Sequence, residues 1–312
     1  MQLTPPHLRK GDLIALIAPA STPVASERID GGVKYLERLG YSVVAGKHAL
    51  DVNGYLAGTD EARLEDLNGF IRDKRVKAII AIRGGYGTPR LLRGVDYAAL
   101  KKNPKIIVGY SDITGLQLAI FKKTGLITFS GPMSGVEMWK EIDPYTEEHF
   151  WKMIGTPAKT TLLKNPDEEP VRVLKAGSGA GRLIGGNFSL LMSLMGTPYC
   201  PSMKGVVLLA EDVDEAPHRI DRMLAHLRNA GYLRSAAGML FGKFSDCVPS
   251  DPSKPHLTVD QVIAEYAKDV GGPVLANVQY GHIPKKLTMP LGAKCRIDGA
   301  KGSVEIVESV VK

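Results

Sequence analysis

The sequence predicts an α/β fold, a parallel sheet in the first half of the chain followed by a second α/β unit. Three observations lead there. Short continuous apolar runs alternate with amphipathic, helix-spaced segments, the pattern of a parallel sheet covered by helices on both faces. Turns rich in glycine and serine follow the apolar runs, at the strand ends where such sheets carry functional residues. The texture then changes between about residues 132 and 169, and a new alternation begins beyond it.

Each element of the first half has a local reason. Leu13–Ala18 is a short apolar run closed by turn residues and reads as a buried strand. Ser26–Leu39 spaces Ile29, Val33, Leu36 and Leu39 along one helical face, and Gly40 stops it. Tyr41–Ala45 is a second strand. Thr59 caps a helix with Leu64, Leu67, Phe70 and Ile71 on one side. Ala78–Ile82 is a third strand ending in Arg83-Gly84-Gly85-Tyr86-Gly87, and Thr88-Pro89 opens a short helix, proline being tolerated in a first turn. Lys105–Tyr110 is a fourth strand, Ser111 begins the next turn, and Ile113–Lys123 is a helix closed by Gly125. Leu126–Phe129 is a fifth strand.

From Pro132 to Glu169 proline, tryptophan and charged residues lack clean periodicity, and Asn165–Pro170 is a turn-rich, acidic connector. Gly177–Asn187 is glycine-rich and has no apolar strand before it. Phe188–Met195 is apolar, Val206–Ala210 is a strand ending in Glu211-Asp212, and Pro217–Asn229 is a helix stopped by Gly231. Met239–Phe244 is a strand, Thr258-Val259-Asp260-Gln261 has the form of a capping box, and Val274–Tyr280 is a strand leading into Gly281-His282.

Composition narrows the class. At 312 residues, with 44% hydrophobic and 23% charged residues, the chain is long enough to bury a core without staples. Three widely spaced cysteines, with no CxxC pair, fit a reducing compartment and argue against a disulfide framework or zinc site. The first apolar run is too short to span a membrane and lacks secretory flanks, so a cytoplasmic protein is expected. The net charge of +7 is spread among acids with no basic tract, which speaks against nucleic acid.

Among seven histidines, His282 stands out because it occupies a Gly-His-Ile-Pro turn after a buried strand, a rigid mount for a general base. Ser111 lies between a strand and a helix, where N–H groups and the helix dipole favour developing negative charge. The GxSxG elbow is absent, the residues being Val108-Gly109-Tyr110-Ser111-Asp112, and by itself Ser111 reads sooner as a helix N-cap than as a nucleophile. Glu211 ends a strand and can orient a histidine, whereas Asp214 and Glu215 suit the start of the next helix. Neither Arg83–Gly87 nor Gly177–Asn187 fits a dinucleotide fingerprint. The glycines of the first loop better serve to bring backbone N–H groups to a substrate oxygen.

Six segments together resemble the LD-carboxypeptidase family (peptidase family S66): GDLIALIAPAS, IRGGYGTPRLL, KIIVGYSDITGL, GGNFSLLMSLMGTPY, LLAEDVDEAPHRIDRML and GHIPKKLTMPLG. The resemblance implies Ser111 as nucleophile, His282 as general base and then acid, and Glu211 as the residue orienting His282. It implies an oxyanion hole from the N–H groups of Gly85 and Asp112, with Gly84 the alternative to Gly85. It also implies an N-terminal domain like that of class I glutamine amidotransferases and a smaller C-terminal α/β domain. The expected division is residues 1–135, a linker over 136–170, and residues 171–312. No cofactor or metal is expected, and a homodimer is.

The expected activity is hydrolysis of the bond to the terminal D-alanine of murein tetrapeptides, in peptidoglycan recycling. Arg83, Gly84 and Tyr86 are the candidates for holding substrate. Two alternatives remain at this point. One keeps the triad and changes the substrate to a peptidyl- or aminoacyl-nucleotide, as in the microcin C immunity branch, where an aromatic side chain stacks on the base; Trp139 and Trp151 are available. The other is a non-catalytic two-domain small-molecule-binding protein. Neither nucleic acid nor membrane is expected as a partner.

Overall fold

The apolar runs of the first half lie side by side in a computed structural model that describes residues 2–22 and 25–312. They are β1 (Leu13–Ile17), β2 (Ser42–Ala45), β3 (Val76–Ala81), β4 (Ile106–Val108) and β5 (Thr128–Ser130). These five pair in parallel in the order β2-β1-β3-β4-β5. Adjacent residues such as Ile79 and Ile80 are both fully buried, so both faces of the sheet are covered and the two-residue alternation of a half-exposed strand is absent. The strand order reverses between β1 and β3. Sheets of this order bind ligands in the crevice at the carboxyl ends of those two strands, which here carry Ala18–Thr22 and Ile82–Gly87.

The second half builds an eight-stranded sheet from β6 (Thr161–Leu163), β7 (Arg172–Lys175), β8 (Ser178–Asn187), β9 (Val207–Val213), β10 (Gly238–Ser245), β11 (Val274–Ala276), β13 (Lys294–Asp298) and β14 (Ser303–Ile306). Between β11 and β13 the chain crosses back: β12 (Met289–Leu291) joins the first sheet antiparallel to β5. Its Pro290 has no N–H to donate, which suits an edge strand. The central strands β8 to β11 are parallel.

Several sequence expectations are corrected. Gly177–Asn187, read only as a glycine-rich stretch, is mostly strand. Its glycines are there because neighbouring backbone comes too close for a side chain: a Cβ at Gly185 would lie 1.9 Å from the Leu209 carbonyl oxygen, and one at Gly181 2.4 Å from that of Gly205. The irregular segment after Pro132 contains a helix, Pro144–Gly155, capped by Asp143, whose carboxylate accepts the Tyr145 and Thr146 N–H groups. The strand expected over Val274–Tyr280 stops at Ala276, because Asn277 adopts a left-handed φ of 61°. The strand expected to end in Glu211-Asp212 runs on to Val213, so Glu211 lies inside it.

Lys105, fully buried just before β4, donates to the Asp73 and Val76 carbonyls at 2.7 and 2.6 Å. Burial pushes its pKa down to about 8, against about 10.4 in an unfolded chain. Below the lower value both states are charged. Between the two, the unfolded chain holds a proton that the folded chain has released, so this group adds stability as pH rises. Denaturant titrations should show the stability of wild type relative to Lys105→Met increasing from about pH 8 to about pH 10; a flat difference would remove the account.

Candidate active site

The turn after β4 has an unusual backbone. Ser111 has φ 62°, a left-handed conformation that costs a non-glycine residue about 1 kcal/mol or more. Asp112, fully buried, holds the turn: its carboxylate accepts the Thr88 N–H at 2.8 Å and its carbonyl accepts the Thr88 hydroxyl at 2.5 Å. Burial raises the Asp112 pKa, against the lowering effect of those Thr88 bonds. The helix Ile113–Thr124 has Asp112, not Ser111, at its cap position, and no side chain caps it. The helix-cap reading of Ser111 is thereby set aside. Its hydroxyl, half-buried, bonds to no group among the described residues.

The loop after β3 packs on this turn. A Cβ at Gly84 would meet the Ser111 Cβ at 3.0 Å. Gly85 has φ 111°, and a Cβ there would lie 2.4 Å from the Ser21 hydroxyl oxygen, so only glycine fits. Ser21, which sequence reasoning did not single out, anchors the loop: its N–H donates to the Gly84 carbonyl at 3.3 Å and its hydroxyl accepts the Tyr86 N–H at 3.1 Å. The Gly85 and Asp112 N–H groups donate to nothing among the described residues. Because Thr88 bonds Asp112, the two loops carrying those free donors are locked together. The Tyr86 side chain stands at the surface, edge-on to Tyr55 with ring centroids 5.4 Å apart.

Glu211 comes from the second sheet and His282 from the loop between β11 and β12. Glu211 is fully buried in β9, and its Oε2 lies 2.8 Å from His282 Nδ1. This bond fixes the ring and, when the imidazole is neutral with its proton on Nδ1, leaves Nε2 free to accept a proton. The other Glu211 oxygen is buried with no hydrogen-bond partner among the described residues. His282 sits on the turn after Asn277–Gly281, its carbonyl accepting the Ser245 hydroxyl at 3.0 Å. Among the described histidines it alone bonds a fully buried carboxylate; His48, for one, pairs with the exposed Asp51 and Glu65.

The acids after Glu211 have other partners. Asp212 accepts the Asn187 side-chain amide at 2.8 Å and both the N–H and hydroxyl of Ser189. Asn187 in turn donates its N–H to the Thr114 hydroxyl at 3.1 Å, tying the helix after Ser111 to the strand that carries Glu211. Glu215 faces Arg219 at 3.5 Å.

His282 and Ser111 are not hydrogen-bonded to each other among the described residues; Tyr110 stands between the two halves, its ring 5.1 Å from that of His282. Tyr110 donates to Glu137 Oε1 at 2.8 Å, the same oxygen takes the Lys286 ammonium at 2.6 Å, and that ammonium lies 3.9 Å from the Tyr110 ring centre. All three side chains are buried or nearly so, and burial, reinforced by Glu137, pushes the Tyr110 pKa well up. Glu137 and Lys286 are 149 positions apart in sequence, so no sequence signal could pair them. Lys286→Met, which strands the Glu137 carboxylate, should cost about 3–5 kcal/mol in denaturant unfolding. Adding Glu137→Gln should recover most of it; no recovery would mean the ion pair is not the cause.

A cleft of about 350 Å³ opens beside His282, lined by Tyr110, Glu137, Lys140, Asp143 and Lys286. A larger one, about 570 Å³, lies on the second sheet near Arg172 and Lys243, where both cations are paired, with Asp260 and Glu169. The indoles have partners of their own: Trp151 stacks on Tyr41, and Trp139 lies under Arg28 and Lys140. Among the described residues no group of three His, Cys, Asp or Glu converges as a metal site would, and no helix is long and apolar enough to cross a membrane.

Comparison with known proteins identifies the family. Residues 14–131 match the family model of the LD-carboxypeptidase N-terminal domain, and residues 180–297 that of the LD-carboxypeptidase C-terminal domain. The chain is 39% identical to a probable murein peptide carboxypeptidase of Bacillus subtilis (strain 168), over 98% of this chain and 95% of that one. Its fold superposes on the wild-type microcin C7 self-immunity protein MccF, which is known from Escherichia coli, with a TM-score of 0.91 at 27% identity, over 99% of this chain and 100% of the other. It superposes on a muramoyltetrapeptide carboxypeptidase from Oxalobacter formigenes with a TM-score of 0.81 at 29% identity, covering 94% and 97%.

Proposed function

The chain belongs to the LD-carboxypeptidase family and is a serine-type carboxypeptidase, and from that premise we propose that it releases the terminal D-alanine of murein tetrapeptides. In this reading the Ser111 hydroxyl attacks the carbonyl carbon of the scissile bond while His282 Nε2 takes its proton. The oxyanion is held by the Gly85 and Asp112 N–H groups, and Glu211 stabilises the imidazolium. His282 returns the proton to the departing amine of D-alanine, leaving an ester on Ser111. Water, activated by His282, cleaves that ester. Hydrogen bonds of such sites are often long before substrate is held and shorten on binding, which accommodates the open Ser111–His282 pair.

The observation that carries the reading is the 2.8 Å Glu211–His282 contact delivered from one sheet toward a strained serine on the other. Murein rather than nucleotide chemistry is favoured by the relatives named for murein peptides and by the two indoles, each already partnered. The test is incubation with murein tetrapeptide and with an aminoacyl sulfamoyl adenylate, products followed by mass spectrometry. D-Alanine release is expected; turnover of the adenylate alone would move the chain to the immunity-type reading, and binding without turnover of either to a binding protein.

The proposal includes a cytoplasmic homodimer, checked by light scattering and cell fractionation. It keeps residues 1–135 and 171–312 as the two units around the segment 136–170, with β6 joined to the second unit and β12 returned to the first; limited proteolysis should cut first near the exposed Asp167–Glu168.

A further inference from the structure

Four arginines are withdrawn from full solvent exposure: Arg28, Arg63, Arg83 and Arg182. Two of them meet carboxylates, Arg63 with Asp60 and Arg182 with Glu308 at 3.3 Å. Arg28 and Arg83 meet none among the described residues. A guanidinium presents five donors and keeps its charge, so leaving water without an anion is unfavourable. Arg83 spends one donor on the Thr22 carbonyl at a long 3.3 Å. Burial, with the neighbouring Arg28 charge, pushes its pKa down. A Cβ at Gly135 would lie 3.6 Å from the Arg28 Cβ and 2.9 Å from the carbonyl oxygen of Ile82, the residue before Arg83, so the two cations are neighbours, and among the described residues neither is paired with an anion.

Their place gives the ligand. An Arg83 terminal nitrogen lies 3.7 Å from where a Gly85 Cβ would be, and Gly84 touches Ser111. The Arg28 guanidinium lies over the Trp139 ring, its carbon 5.1 Å from the ring centre, and its Cβ is 3.6 Å from a Cβ position at Gly135. We propose that Arg28 and Arg83 together bind the free α-carboxylate of the substrate's C-terminal residue, one residue beyond the bond that Ser111 attacks. This rests on the peptidase reading above and adds to it the feature that restricts cleavage to the last residue: an uncapped acid compensates both cations, and a longer or amidated chain leaves them uncompensated.

The test compares a murein tetrapeptide ending in D-alanine with the same peptide ending in D-alanine amide, for wild type, Arg28→Gln, Arg83→Gln and Arg83→Lys. Wild type should favour the acid by roughly 100-fold or more in kcat/KM, from the loss of charge-assisted hydrogen bonds. Each Gln variant should lose activity on the acid chiefly through KM and lose far less on the amide, so that the ratio falls toward one. Arg83→Lys, keeping the charge without the fork, should fall between. Equal cleavage of acid and amide by wild type, or equal loss on both substrates in the Gln variants, overturns the carboxylate site while leaving the peptidase reading intact. Failure of wild type on both peptides overturns the peptidase reading instead. If Arg83→Gln does not fold, Arg28→Gln on its helix and the wild-type ratio decide.

Discussion

Ser111→Ala is expected to abolish D-alanine release, with kcat down by on the order of a hundred-thousand-fold or more, as when a serine-hydrolase nucleophile is removed. KM should barely move, because the hydroxyl contributes to bond making more than to binding. A companion variant separates nucleophile from scaffold. With φ 62° at this position, Ser111→Gly should be as inactive as Ser111→Ala yet more stable than it by about 1 kcal/mol, since glycine adopts that backbone freely. Stopped-flow turnover and thermal unfolding read the two effects independently. Residual activity above about one per cent of wild type would be incompatible with Ser111 as nucleophile.

Glu211→Gln should also damage the enzyme heavily, though less than loss of Ser111 or His282. The amide can donate to His282 Nδ1, favouring the tautomer that places the proton on Nε2, the atom that has to accept one, and it cannot neutralise the imidazolium. A loss in kcat of roughly a thousand- to ten-thousand-fold follows, the range found when a triad carboxylate is made an amide. Stability should not fall in parallel. Glu211 is fully buried and one of its oxygens has no partner, so removing the charge relieves desolvation. A variant that melts at or above wild type while losing activity is the expected signature; equal losses of both would assign Glu211 a structural part.

The first sheet was legible because its runs, Leu13–Ile17 and Ile79–Ile80 among them, are buried on both faces and read as continuous apolar segments. The serine, the glycine loop, the acid and the histidine were legible through motif company rather than local chemistry. Ser111 looked like a helix cap because strain is a backbone property, and φ leaves no mark on a serine's identity. Gly177–Asn187 was missed as a strand because its glycines answer to the Leu209 and Gly205 carbonyls across the sheet, partners that a linear reading does not contain. Lys286 and Glu137 were invisible for the same reason. The helix over Pro144–Gly155 was hidden by aromatic and charged residues that blur its apolar stripe.

The return of Met289–Leu291 to the edge of the first sheet bears on when activity can arise. On a ribosome, domains tend to form in order of synthesis, and Ser111 emerges with more than half of the chain still to come. The strand Thr128–Ser130 waits with an open edge until the segment just beyond His282 arrives to close it. In the proposed mechanism nucleophile and base thus come together in one late event, and a chain interrupted before residue 282 would carry the serine without its base.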